Sequence, residues 1–160
     1  ILLAMALSIL RHVRHSYRPH TQVLVPDAQG VWRPQPAVPG LETAPGLLIY
    51  RFGADLFFAN DKFFAGEVRR LIAAAPDKVQ TLLIDAGAIS DLDYSAACAL
   101  GELCGNLHDQ GIRVVFARVS SYLRADMHRH GIFEVLGESN IFATLHEAIV
   151  SVHPQSRLTS

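Results

Sequence analysis

Cysteine, tryptophan and net charge are all scarce in this chain. It carries two cysteines and one tryptophan in 160 residues, and 14 basic against 15 acidic side chains leave a formal charge of −1. Cys98 and Cys104 lie six positions apart in one helix-patterned segment, so at 100° per residue they point in different directions. They form neither a CxxC redox motif nor a metal pair, and read as reduced thiols of a cytosolic compartment. The balanced charge gives no global attraction to nucleic acid or to an acidic surface. Neither GxGxxG nor GxxxxGK[ST] occurs, so the sequence has no Gly-rich phosphate loop. Ser95 lacks the G-x-S-x-G elbow of a hydrolase nucleophile, and no histidine can be assigned as its base. Asp91 and Asp93 are close, but they lie in a loop that needs polar residues anyway, so no acid/base carboxylate couple stands out. His128 and His130 are about 200° apart around a helix and cannot share an ion from one face. His12 and His15 could do so on a helix, although solvated surface histidines are the plainer reading. The sequence calls for no metal, no cofactor and no catalytic residue.

Half of the residues are hydrophobic, enough to bury the core of one ordinary domain. Ile1–Leu10 is apolar except for Ser8 and runs into Arg11-His12-Val13-Arg14-His15. Ten residues fall short of the about 20 that span a bilayer. A secretory signal would place its charges before the apolar run, not after it. Two readings stand side by side for residues 1–20. One is the end of a last transmembrane helix passing into a basic juxtamembrane segment. Arg11, Arg14 and Arg18 would then lie near lipid headgroups, with the cytosol beyond them. The other is a plain or amphipathic helix opening a soluble domain.

From residue 21 the pattern alternates between strand and helix. Thr21–Val25 is β-prone. Ala28–Pro45 is a Pro/Gly-rich loop with room for a short strand near Val31-Trp32. Leu47–Phe52 and Leu56–Ala59 read as strands, and Asn60 as the cap of a helix with Phe64, Val68, Leu71, Ile72 and Ala75 on its apolar face. Arg69 and Arg70 fall on that helix's solvated side. Val79–Asp85 is apolar without alternation, as in a strand covered on both faces. The following helix buries Ala97, Leu100, Leu103, Cys104 and Leu107 and ends at Gly111. Ile112–Val119 is a strand. Ser120 or Ser121 caps a short helix, Tyr122–His130. Ile132–Leu136 reads as a short extended piece and Gly137–Ile141 as a loop. Thr144 and Glu147 form the capping box of a last helix, which Pro154 stops. Residues 155–160 read as a tail. This order specifies an α/β fold, a mixed β-sheet with helices packed against it.

The chain is organised around Leu82–Leu103, where a buried strand hands over to a helix through an exposed loop. Asp93 and Ser95 stand at the helix start, where the first N–H groups lack internal partners. Either residue serves as an N-cap, and the same place suits an anion or a phosphoryl group.

Ile89-Ser90-Asp91-Leu92-Asp93-Tyr94-Ser95-Ala96 resembles the signature loop of STAS domains, the modules shared by SulP-type anion transporters and anti-sigma factor antagonists. LFFANDKFF, residues 56–64, is similar to the segment with which SulP-type STAS domains open their first helix. The resemblance covers Leu47–His153, and its transporter branch adds residues 1–25. It implies a STAS-like (anti-sigma factor antagonist-like) fold over residues 21–154. It further implies a non-catalytic regulatory domain of a transporter for sulfate, bicarbonate or a related anion, at the cytoplasmic face of the membrane. The implied partners are the membrane domain of the same transporter, a second copy or a cytosolic regulatory protein, and no nucleic acid. In antagonists the serine matching Ser95 is phosphorylated. Tyr94 replaces their small polar residue and Ala96 their glycine, departures that match the transporter branch. Asp93, Tyr94, Ser95 and Ala96 are thus the candidate phosphorylation or anion-binding loop, with Asp93 orienting the Ser95 hydroxyl. A free-standing antagonist switched at Ser95 is the alternative, and a weak nucleotide or anion binder the third.

Overall fold

The computed structural model describes residues 2–17 and 19–153, with only the backbone described for 11–17. Arg11, Arg14, Arg18, His12, His15 and the 155–160 tail therefore fall outside the described side chains. Helix α1 (Leu2–Tyr17) precedes strands β1 (Thr21–Pro26), β2 (Trp32–Pro36) and β3 (Leu47–Phe52). Then follow α2 (Asp61–Ala73), β4 (Thr81–Asp85), α3 (Tyr94–Asp109), β5 (Arg113–Ala117), α4 (Ser121–Arg129), α5 (Ile132–Leu136), a 3-10 turn at Glu138–Asn140 and α6 (Leu145–Val152).

The five strands form one mixed sheet in the order β2-β1-β3-β4-β5. β3, β4 and β5 run parallel, while β1 pairs antiparallel with both β2 and β3. The parallel strands are apolar runs because helices cover both of their faces. Leu48, Tyr50, Phe52, Leu82, Ile84, Val114 and Phe116 face α2 and α3 in the main core. Leu47, Ile49, Leu83, Val115 and Ala117 face the other way, onto Ala148 of α6 with Trp32 and Phe142 alongside. One polar pair lies inside the main core, where the Tyr50 hydroxyl donates to Glu67 Oε2 at 2.6 Å. Burial and the adjacent Glu67 carboxylate raise the phenol's pKa, so Tyr50 remains a donor.

The Pro/Gly-rich stretch contains a strand, as its Val31-Trp32 segment suggests. The Ala37 N–H donates to Thr21 O at 3.0 Å. In an antiparallel ladder this turns the odd-numbered residues of β2 toward β1 and leaves Pro34 and Pro36 on the outer side. At the far side of the sheet, Phe142 donates its N–H to Phe116 O at 2.8 Å, and Val119 donates to Phe142 O at 3.2 Å. The exit of α1 is tied to the carboxyl end of β3. Thr21 opposes Phe52, and Gly53 donates its N–H to His20 O at 3.0 Å. A Cβ on Gly53 would stand 2.5 Å from that oxygen, so this approach admits only glycine.

Three local expectations need correction. Leu56–Ala59 is not a strand: Leu56 makes one isolated bridge to Leu92, and a turn follows. Asp55 and Asn60 hold this segment through their side chains, and only Leu56 enters the core while Phe58 is 67% exposed. Asn60 stands at the N-cap position of α2 without capping it. Its Oδ1 accepts the Phe57 N–H at 3.0 Å and its Nδ2 donates to Asp55 O at 2.9 Å, so the amide is spent on the preceding turn. Ile132–Leu136 is helical, since Ile132, Phe133 and Leu136 share one buried face between Gly131 and Gly137, both at positive φ.

Candidate functional site

The loops after β3, β4 and β5 meet at one end of the sheet, the end where ligands of open α/β folds gather. Asp93 caps α3 with Oδ1 accepting the Ala96 N–H at 2.8 Å. Its Oδ2 accepts the Phe58 N–H at 2.9 Å, which ties the helix start to the loop after β3. The helix begins at Tyr94, two residues before the Ala96 start that its small-residue run suggests. Asp55 binds the same loops from the other side, its Oδ1 accepting from Ser90 N, Ser90 Oγ and Asp91 N at 2.7 to 3.1 Å.

The hydroxyl of Ser95 is exposed and donates to Asp61 Oδ2 at 3.2 Å. The orienting carboxylate is therefore Asp61 at the start of α2, and Asp93 is occupied with backbone donors. Ala96 is fully buried beneath the loop. Tyr94 is 72% exposed, with its ring centroid 5.9 Å from that of His130. A hydrogen bond with Cys98 raises the Tyr94 pKa above its ordinary value. Two carboxylates, Asp93 and Asp61, thus already stand where the helix dipole would welcome an anion. The surface here is aromatic and acidic, with Phe58 and Tyr94 projecting into solvent.

A second cluster at the same end was not singled out by sequence reasoning. Asp85, the last residue of β4, has no exposed side-chain surface. Its Oδ1 accepts Arg118 Nε at 2.6 Å, and its Oδ2 accepts Arg118 Nη2 at 2.8 Å and Arg51 Nε at 2.7 Å. Burial would push its pKa up, but the bonds from Arg118 and Arg51 prevail and hold the carboxyl below its ordinary value. Arg118 has φ of +57°, a left-handed conformation that costs a side-chain-bearing residue about 1–2 kcal/mol. A Cβ on Gly87 would lie 2.3 Å from Arg118 Cζ, so the guanidinium fills the space that glycine leaves. The available signal was that Asp85 and Arg118 each follow a buried apolar strand run with a charge, and that Arg51 interrupts one just before its last residue.

Among the described residues no group of three or more His, Cys, Asp or Glu side chains could hold a metal ion, and no helix is long and apolar enough to cross a membrane.

A family model described as STAS domain matches residues 39–148. A probable sulfate transporter of Mycobacterium tuberculosis is 33% identical over 151 residues, covering 93% of this chain and 27% of that protein. High affinity sulfate transporter 2 of Stylosanthes hamata is 25% identical over 166 residues, covering 98% and 25%. Among solved structures, the murine Solute Carrier 26 family member A9 anion transporter in the inward-facing state superposes with a TM-score of 0.74 at 18% identity, over 96% of this chain and 25% of that one. The STAS domain of a SulP transporter from Vibrio cholerae gives 0.55 at 19% identity, over 68% and 82%. At these identities the structural likeness speaks for the fold alone. The chain spans about a quarter of the length of the curated relatives it matches.

Proposed function

Because the chain belongs to the STAS domain family, we propose that it is a non-catalytic regulatory and interaction domain of a SulP-type secondary anion transporter. The observation that carries this reading is the reach of the sequence match. Relatives named as sulfate transporters align over 93% to 98% of the chain. The family model itself begins only at residue 39, so the likeness runs back into the apolar α1.

In this reading residues 1–20 end the last transmembrane helix and form its basic juxtamembrane segment, with Arg11, Arg14 and Arg18 near lipid headgroups. Residues 21–154 form the STAS domain at the cytoplasmic face, and 155–160 a tail. Support comes from α1, whose Leu2, Leu3, Met5, Leu7, Ile9 and Leu10 are 58% to 85% exposed. So much unpartnered apolar surface on one helix fits contact with lipid or with a membrane domain. The cargo is sulfate, bicarbonate or a related anion. The domain acts on transport by docking on the membrane domain, on a second copy or on a cytosolic regulatory protein.

The test is sulfate uptake by cells that lack their own uptake system and express the full-length parent, with and without residues 46–154. Lower uptake at equal surface amount supports the reading. Unchanged surface amount and uptake overturn it.

The exposed Ser95 hydroxyl favours a second reading, a phospho-switch at this loop. A phosphate would add about −1.5 to −2 charge beside Asp61 and Asp93 and break the Ser95–Asp61 contact. Mass spectrometry of the protein from its native cells tests it, and absence of phosphate at Ser95 in every growth condition sinks it.

A further inference from the structure

The Arg51–Asp85–Arg118 cluster holds more positive charge than its structural task requires. One guanidinium bound bidentate, as Arg118 is, neutralises Asp85. Arg51 adds a second, so two cations stand on one buried anion and the cluster carries a net +1. The inner edges of both guanidiniums face Asp85, while the side chains of Arg118 and Arg51 are 42% and 27% exposed. Arg51 Nη1 reaches Gln22 Oε1 at 3.5 Å. Arg51 Nη2 and Arg118 Nη1 have no hydrogen-bond partner among the described residues. Two features fix Arg118 in place: its left-handed backbone and the slot over Gly87. Fixed, outward-facing N–H groups at the carboxyl end of a parallel sheet are what planar, multidentate recognition of an oxyanion requires.

We propose that Arg51 and Arg118, positioned by Asp85, form a receptor for a tetrahedral oxyanion of the sulfate or phosphate class. The site differs from the Ser95 loop, where Asp93 and Asp61 repel such a ligand. It also stands independently of the transporter reading, since it rests on the cluster alone. α1 leaves the domain at the same end of the sheet. The oxyanion can therefore arrive free in solution or as the phosphate of a lipid headgroup presented from the surface that holds α1.

The experiment uses the 160-residue chain labelled with ¹⁵N, following the arginine Nε–Hε signals and the Gly87 amide. One arm adds sodium sulfate or sodium phosphate at constant ionic strength, against sodium chloride. The other adds vesicles of phosphatidylcholine, with or without phosphatidylglycerol. The expected result is a saturable shift of the Arg51 and Arg118 signals that chloride does not reproduce. Its half-saturation rises at least tenfold in Arg118→Lys, which keeps the charge on Asp85 and loses the fork. A shift with free anions assigns a soluble ligand, and a shift only with phosphatidylglycerol vesicles assigns the headgroup. Equal shifts with chloride, no saturable shift in either arm, or a folded Arg118→Lys protein that titrates like the parent each overturn the proposal. If Arg118→Lys does not fold, Arg51→Lys gives the same comparison.

Discussion

The side-chain hydroxyl of Ser95 donates to Asp61 Oδ2 at 3.2 Å, joining the first turn of α3 to the first turn of α2 across 34 positions of sequence. The two helices pack side by side on one face of the sheet, and this bond pins their starts together. Removing it with Ser95→Ala is expected to cost about 0.5–1.5 kcal/mol, the usual net worth of one hydrogen bond. Ser95→Asp sets a third carboxylate beside Asp61 and Asp93 and is expected to lower the melting temperature further than Ser95→Ala. Thermal unfolding of both variants at low and high salt measures this, and the Ser95→Asp deficit should shrink as salt screens the repulsion.

Asp93 serves two backbone donors with one carboxylate. Asp93→Ala is expected to cost more than the about 0.5–2 kcal/mol of an ordinary N-cap, because the Phe58 N–H loses its partner as well. Asp93→Asn keeps an acceptor oxygen for Ala96 and should lose less. Urea unfolding midpoints would rank the parent above Asp93→Asn and Asp93→Ala lowest.

Asp85 makes the domain sensitive to acid. Its carboxyl pKa is depressed in the folded chain. The stability this confers is complete above the unfolded value near 3.8 and drains away as pH falls through the lower folded value. Asp85→Asn removes the anion and leaves the Arg51 and Arg118 guanidiniums, 27% and 42% exposed, without it, so solvent holds the loss below the about 3–5 kcal/mol of a fully buried pair. The variant should unfold at much lower urea at pH 7, and the gap to the parent should narrow below pH 4. A gap that stays constant down to pH 2 would count against the ion-pair account.

The two thiols should react unequally. Cys98 is exposed, while burial pushes the Cys104 thiol up to about 12. A neutral alkylating reagent at pH 8 is expected to modify Cys98 in the native protein and to reach Cys104 only after denaturant is added. Peptide mapping by mass spectrometry distinguishes the sites.

The parallel strands and the α2 and α3 helices were legible in the sequence because burial on both faces writes continuous apolar runs, and burial on one writes a helical stripe. The STAS signature around Ser95 was legible as a motif. Leu56–Ala59 was not, because Leu-Phe-Phe has the composition of a strand while Asn60 binds its backbone into a turn and Asp55 anchors it to Ser90 and Asp91. Ile132–Leu136 is too short for its helical period to show. The partner of Ser95 was hidden for a different reason. Asp93 is near in sequence, but Asp61 is near in space, and only the packing of α2 against α3 brings it there. No sequence pattern announces that Arg118 adopts a left-handed backbone, so the cluster on Asp85 emerged only with the fold.

The outer border of β2 has consequences for how copies of this chain can meet. Pro34 and Pro36 turn away from β1 and supply no N–H there, while Phe142 pairs with Phe116 along the opposite border. The β2 margin thus lacks N–H donors that a further strand would need, and the β5 margin is crossed at Phe116. Prolines on an edge and a crossing segment are the devices by which sheets resist edge-to-edge pairing when such domains are crowded. Such an edge favours contacts between copies made by side chains on helices and loops, which a single surface substitution can undo without touching the sheet.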